Sequence, residues 1–281
     1  MSDMFSNKQE KEIPEDIKKS AGKGIIFLAR VGYISKGIVY ILAGILTLMG
    51  TAGLEEGPKG TEGALVEVAQ KPFGELLLWA IAVGLLGYVC WKTVQGIKDP
   101  DGSGSKLKGL SRRAGNIGSA AIHSFLIYKA VSLAMHSGSG SGKKQKILKI
   151  ILSSGLGRWA IILIGAGIIV FGLKEIFIAF TRDFTKMLKK SRMSQEELNM
   201  GRKSGRFGMA ARGLLFCVVG YIGIVAAYHS KAGDLFGTDG ALAFLYRQPY
   251  GQLVISFVAG GLISYGLFQV IKGKRREINL Q

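Results

Sequence analysis

Proline and cysteine are scarce in this chain, and each scarcity narrows its class. Only five prolines occur in 281 residues, and none falls within a long apolar run, so nothing kinks or stops those runs from inside. The two cysteines, Cys90 and Cys217, lie far apart, which excludes a disulfide framework and a C-x-x-C zinc or redox site. The three histidines come without a carboxylate cluster, so no metal and no other cofactor is expected. No G-x-S-x-G elbow, H-E-x-x-H pair, Walker loop or pair of intramembrane carboxylates is found, and a non-enzymatic protein is expected. Residues 1–22 are polar, with no apolar core before Ile25, so no cleavable signal peptide is expected there.

Long apolar runs are abundant. Six segments are long enough to cross a hydrocarbon core of about 30 Å: Ile25 to Met49, Glu75 to Ile97, Arg113 to Met135, Arg158 to Phe180, Arg206 to Tyr228 and Gly251 to Ile271. Glycine, at 41 residues, would weaken helices in water, whereas between membrane helices it allows close backbone approach. Gly37, Gly44, Gly84, Gly167, Gly213, Gly220 and Gly261 are therefore expected at helix contacts.

Acidic residues are also few, 19 against 37 lysines and arginines, for a net charge of +18. In a soluble protein that excess would suggest nucleic acid; here it follows membrane topology, and no nucleic acid is expected. Cations crowd the links after the second and fourth segments and the C-terminal tail. The first and last of the opposite connections carry Glu55, Glu56, Glu62, Glu67, Asp234 and Asp239 instead. The bias predicts a multi-pass protein of a bacterial plasma membrane with both termini in the cytoplasm. One outer stretch departs from it: Lys143 to Lys149 reads as a basic amphipathic helix lying on the membrane. Trp79, Trp91 and Trp159 read as an aromatic belt.

The chain repeats itself. Arg30, Gly32, Lys36, Gly37, Tyr40 and Gly44 return as Arg206, Gly208, Arg212, Gly213, Phe216 and Gly220, and a worn middle copy keeps Arg113, Gly115 and His123. Gly84, Gly167 and Gly261 align in the second segments. Each copy crosses the membrane twice and returns to its starting side, so the copies are parallel. The expected fold is an all-α membrane protein, six transmembrane helices arranged as three parallel two-helix repeats about a pseudo-threefold axis. Its expected parts are a polar cytoplasmic arm (1–22), repeat 1 (23–100), a degenerate repeat 2 (101–184), a cytoplasmic linker (185–204), repeat 3 (205–276) and a tail (277–281). The link from Thr181 to Ser204 reads as a cytoplasmic helix extension and then a new helix starting at Ser194, with Glu197 completing a capping box. After the first segment of repeats 1 and 3 comes G-T-acid-G-A-L, then P-aromatic-G: a short helix capped by its own threonine or acid, stopped by Pro72 or Pro249, its leucine side in the outer interface.

At 100° per residue, Tyr33, Lys36, Tyr40 and Thr47 share one face of the first helix; Asn116, Ser119 and His123 match them in repeat 2, and Arg212 with Phe216 in repeat 3. A candidate polar track follows: Arg30, Lys36, Tyr40, Arg113, His123, Arg206 and Arg212, cationic and with no compensating acid at the same positions. The alternative is that Arg30, Lys36, Arg206 and Arg212 snorkel to lipid phosphates. Lys174 and Glu175 read as partners for neighbouring helices.

The motif ARxGYxxKGxVY at Ala29 to Tyr40, with G-A-L at Gly63 to Leu65 and P-F-G at Pro72 to Gly74, resembles the bacterial membrane family known as domain of unknown function 1206. The resemblance spans about Gly24 to Arg276 and weakens in the middle repeat, where Ser119 and Ala120 stand in place of Lys36 and Gly37. It implies three tandem two-helix repeats and supplies no activity, substrate or catalytic residue. The expected role is structural, in lipid contact or in assembly with partners, whether membrane lipids, another protein or further copies. The competing expectation is a small channel or transporter for an anionic solute along the axis.

Overall fold

Lipid offers the backbone no hydrogen bonds, so each apolar run must satisfy its own amides and carbonyls as a helix. The computed structural model describes residues 15–54, 57–100, 102, 104, 106–136, 153–184, 188, 193–229 and 237–276. Eight helices lie among them: α1 (Glu15–Thr51), α2 (Thr61–Ala69), α3 (Gly74–Ile97), α4 (Leu107–Ala134), α5 (Gly155–Thr181), α6 (Gln195–Tyr228), α7 (Thr238–Tyr246) and α8 (Gly251–Arg275). Six of them, α1, α3, α4, α5, α6 and α8, are long and apolar enough to span a membrane. The basic segment Lys143 to Lys149, the start of the arm and the tail 277–281 lie outside the described residues.

The six long helices stand as a ring. Each repeat's first helix packs most extensively on the second helix of the preceding repeat: α4 on α3, α6 on α5, and α1 on α8, which closes the circle. Glycine makes two of these seams. Gly37 faces Gly266, and Gly213 faces Gly172, each so close that an added methyl would press on the partner's carbonyl oxygen. The α3–α4 seam has Val89 and Ala120 at the corresponding places and uses Gly96 instead, which seats the Ile117 side chain.

Within hairpins 1 and 3 the helices also touch through glycine. A methyl on Gly32 would overlap the Tyr88 backbone and one on Gly84 the Ser35 side chain; Gly208 stands likewise against Tyr265 and Gly261 against Ala211. Hairpin 2 differs. Among the described residues, an added methyl on Gly115 would meet only the edge of the Phe171 ring, at 3.7 Å, and one on Gly167 would meet nothing within 4 Å. The sequence reading of Gly167 as a packing glycine is thus corrected, because the helix it would pack against has swung away.

The short helices α2 and α7 cover the ring on the side away from the termini. Their leucines do not lie in the membrane interface as expected. Leu65 and Val68 insert among Val39, Leu78 and Ala130, and Leu242 inserts among Leu215, Ile255 and Val258, because the ring leaves an apolar hollow at that end. Their caps also differ from expectation. Neither Gly60 nor Gly237, the residue preceding each helix, makes a side-chain cap, and Thr61 is already helical. Asp239 of repeat 3 instead accepts from the amides of Gly60 (2.8 Å) and Gly63 (3.0 Å), while Thr61 and Thr238 meet hydroxyl to hydroxyl at 3.2 Å. The two lids are joined at their N-termini.

At the P-aromatic-G corners Phe73 and Tyr250 both take left-handed backbone, φ 61°, and stand four-fifths exposed. Gly74 and Gly251 follow because a side chain there would strike the carbonyls of Val68 and Leu245.

On the terminal side four further expectations change. Helix α1 begins at Glu15, within the stretch read as an arm. The link after α5 does not extend that helix: Arg182 is extended, Phe184 packs edge-on against Phe268, and Leu188 pairs with Arg276. Ser194 caps α6 by accepting from the Glu197 amide at 3.1 Å, but the Glu197 carboxylate reaches across to Arg275 at 3.1 Å. Trp91 is no belt residue: it is fully buried beside Tyr33 and Tyr88, under the Arg276 guanidinium.

Candidate functional site

The repeat register places equivalent residues in layers around the ring centre. Counting from Gly32, Gly115 and Gly208, the fourth residue on is Lys36, Ser119 or Arg212 and the eighth is Tyr40, His123 or Phe216. From Gly84, Gly167 and Gly261 the same steps reach Tyr88, Phe171 or Tyr265, then Lys92, Glu175 or Gln269. Three ring contacts repeat around the circle, each joining a first helix to the second helix of the preceding repeat. They are Tyr40 with Tyr265 (4.8 Å), His123 with Tyr88 (4.7 Å) and Phe216 with Phe171 (5.5 Å).

Lys36 is 1% exposed at this centre. Its Nζ donates to the Tyr88 hydroxyl at 2.8 Å and lies 4.4, 5.6 and 5.4 Å from the ring centroids of Tyr88, Tyr40 and Tyr265. Among the described residues Lys36 has no carboxylate partner; three tyrosine rings and one phenol hydroxyl surround its nitrogen. The Tyr88 hydroxyl also meets Ser119 Oγ at 3.0 Å, so one phenol joins repeats 1 and 2.

Arg212 has a different partner set. Its Nε donates to Glu175 Oε2 at 2.8 Å, a second nitrogen bonds the other carboxylate oxygen, and a third bonds the Tyr265 hydroxyl. The first-helix positions carry no acid, as expected, and Arg212 takes its carboxylate from a neighbouring helix, the role read for Glu175. Glu175 supplies it from the second helix of repeat 2, where the other repeats have Lys92 and Gln269. Lys92 itself is held by Asn116 and Gln95, each at 2.9 Å. His123, 3% exposed, has its Nδ1 2.7 Å from the Ser119 carbonyl oxygen; since a carbonyl only accepts, Nδ1 carries the proton. Its Nε2 and the Gln269 Oε1 have no partner among the described residues.

Of the candidate track, Lys36, Tyr40, His123 and Arg212 meet at the centre, and three arginines do not. Arg113 lies at the α3–α4 seam and caps α3, donating to the carbonyls of Gly96 and Ile97 at 2.9 Å each. Arg206 is exposed and Arg30 half-buried. The reason is angular: each precedes its central residue by six positions, about 120° around the helix. Sequence reasoning missed Tyr88, Tyr265 and Gln269, and named Glu175 as a partner for a neighbouring helix without placing it at this centre. The repeat register on the second helices, carried past the glycines, is the signal that finds them.

The centre is closed at this level, because Tyr33, Lys36, Tyr40, Tyr88, His123 and Tyr265 are all buried against one another. Away from it, Glu67 on α2 bonds Lys59 at 2.6 Å and Lys71 at 2.7 Å, and these two hydrogen bonds hold its carboxyl below the usual range. A cleft of about 530 Å³ lies beside them between α2, α3 and α4, reached by Lys71, Phe73, Ser132 and His136. It is an outer feature and does not join the centre.

A family model described as Domain of Unknown Function (DUF1206) matches residues 31–99, 114–182 and 207–276, one match to each repeat. The chain is also similar to "Uncharacterized protein YxxB" of Bacillus subtilis (strain 168), 37% identical over 257 residues that cover 92% of this chain and 93% of the relative. No solved structure matches it. The chain belongs to the DUF1206 family, whose description carries no activity.

Proposed function

We propose that this family member is a non-enzymatic protein of the bacterial plasma membrane, with both termini cytoplasmic, in which the polar centre is a structural core and the second repeat is the surface that works against lipid. The observation that carries this is the contrast between inside and outside. All six spanning helices send polar or aromatic side chains to one buried cluster, whereas the spanning windows of α4 and α5 are only 28% and 17% buried, against 39 to 50% for the other four. Buried polar groups that satisfy one another favour a unique packing. A lipid-facing flank so much larger on one repeat gives the molecule a side. The anionic pathway has less support, since Glu175 neutralises Arg212 and Lys36 is sealed among tyrosines.

The test is solvent access. In a background lacking Cys90 and Cys217, Ser119→Cys, which is nearly isosteric, and Tyr40→Cys are treated with a membrane-impermeant thiol reagent from each side. Both are expected to stay unlabelled in folded protein, while a cysteine in place of exposed Phe73 labels. Labelling of either central position from one side would overturn the structural-core reading.

A further inference from the structure

Hairpin 2 lacks the latch that closes its siblings. In hairpins 1 and 3 a cation on the first helix bonds a tyrosine on the second, Lys36 to Tyr88 and Arg212 to Tyr265. The equivalent pair in hairpin 2 is Ser119 and Phe171, which cannot form that bond. The polar groups of this repeat are committed elsewhere. Ser119 and Asn116 bond α3, and Glu175 bonds α6. Helices α4 and α5 are thus each fastened to an outer neighbour and drawn apart from one another.

The result is a crevice open to the bilayer. It is pinched on the terminal side, where Lys174 Nζ donates to Ser111 Oγ at 2.7 Å and Phe171 touches Gly115. Farther along, Gly118 on α4 and Gly167 on α5 hold the places where Ser35 meets Gly84 and Ala211 meets Gly261, yet neither has an atom of another described residue within 4 Å of an added Cβ. Exposed Ile122 and Leu163 continue the two walls. A wedge joined at one end does not admit a helix, whose diameter with side chains is about 10 Å, but it does admit a hydrocarbon chain. Toward the wide end the α4 wall carries Lys129, half-buried and making no ion pair with a described residue, where a lipid phosphate would complement it.

We propose that the α4–α5 crevice is a binding site for one acyl chain of an anionic phospholipid, with Lys129 meeting the headgroup. This rests on the lipid-contact reading of repeat 2, but it is read out at different residues from the thiol test of the centre, so either can fail alone. The full-length protein is reconstituted in vesicles of phosphatidylglycerol or phosphatidylcholine doped with a phospholipid carrying a photoactivatable group in its acyl chain, and adducts are mapped by mass spectrometry. Adducts at Ile122 and Leu163 are expected to exceed those at the ordinary lipid-facing positions Leu77 and Phe257 several-fold, with the phosphatidylglycerol probe ahead. Gly118→Leu with Gly167→Leu, which fills open space, is expected to bring crevice labelling down to the control level and leave the controls unchanged. Lys129→Gln is expected to erase the headgroup preference. Crevice labelling no higher than at the controls, or unchanged in the filled variant, overturns the site; a headgroup preference that survives Lys129→Gln overturns the role of Lys129.

Discussion

Lys36, Arg212 and Glu175 meet in one buried cluster, where Arg212 and Glu175 form an ion pair. An uncompensated charge there is far more costly than a neutral side chain of the same size, so the three sites do not respond alike to substitution. Glu175→Gln leaves the Arg212 guanidinium without its carboxylate, and we expect a loss of about 3–5 kcal/mol. Arg212→Met combined with Glu175→Leu removes both charges and is expected to cost less than Glu175→Gln alone. Unfolding in mild detergent, followed by circular dichroism, checks the order; a double variant weaker than the single one would mean the pair is not the isolated couple the geometry describes. Much of this cluster was legible in the sequence. Lys36, Tyr40, His123 and Arg212 share a face at helical spacing, and the repeat marks the face as inward. Glu175 was legible as a partner for a neighbouring helix but not as the one that meets Arg212, because its equivalents are Lys92 and Gln269: a position that changes chemistry in every repeat leaves no repeated signal. Arg30, Arg113 and Arg206 were misread for the opposite reason, since their faithful repetition drew attention away from the 120° that separates them from the central face.

The short helices raise the same contrast one level up. Their existence and ends were readable from G-T-acid-G-A-L and P-aromatic-G, since Pro72 and Pro249 stop a helix wherever they fall. The source of the cap was not, because an acid near a helix start suggests a local bond, and only the closed ring brings Asp239 to the start of α2. That helix has nine residues, too few to be stable on its own, so its position depends on this cross-repeat cap and on Leu65 beneath it. Asp239→Ala removes the acceptor from two amides of repeat 1 without touching repeat 1, and we expect a loss of about 1 kcal/mol, as for other N-cap deletions. Hydrogen exchange should place the effect: the amides of Gly60 and Gly63 lose protection first. If exchange quickens only within α7, the cap acts in cis and the joined lids are not a unit.

Across the whole molecule, the three repeats share one rule of contact, first helix on the preceding second helix, and the rule holds between the last repeat and the first as well as along the chain. The α1–α8 seam has the same glycine pair as the α5–α6 seam, and Arg276 reaches from the end of α8 to the Tyr33 hydroxyl on α1. The place where the chain begins is therefore not special to the packing. The weak point lies elsewhere, between α4 and α5, where the bond to a tyrosine is missing and, among the described residues, only Gly115 of the aligned glycines makes a contact, with the Phe171 ring. A circular permutant follows from this: the native ends joined by a flexible linker and the chain opened at Gly102, in the turn-rich link between repeats 1 and 2. No helix is cut and every seam is kept, so the permutant is expected to insert, purify as a folded species and melt within a few degrees of the native chain. The order of the α1 and α8 seams in assembly is reversed, yet the closed ring is the same. A permutant that inserts but lacks the Lys36–Tyr88–Tyr265 cluster, seen as loss of the tyrosine near-ultraviolet dichroism, would show that α1 must be made first and that the ring is not the cyclic repeat its contacts describe.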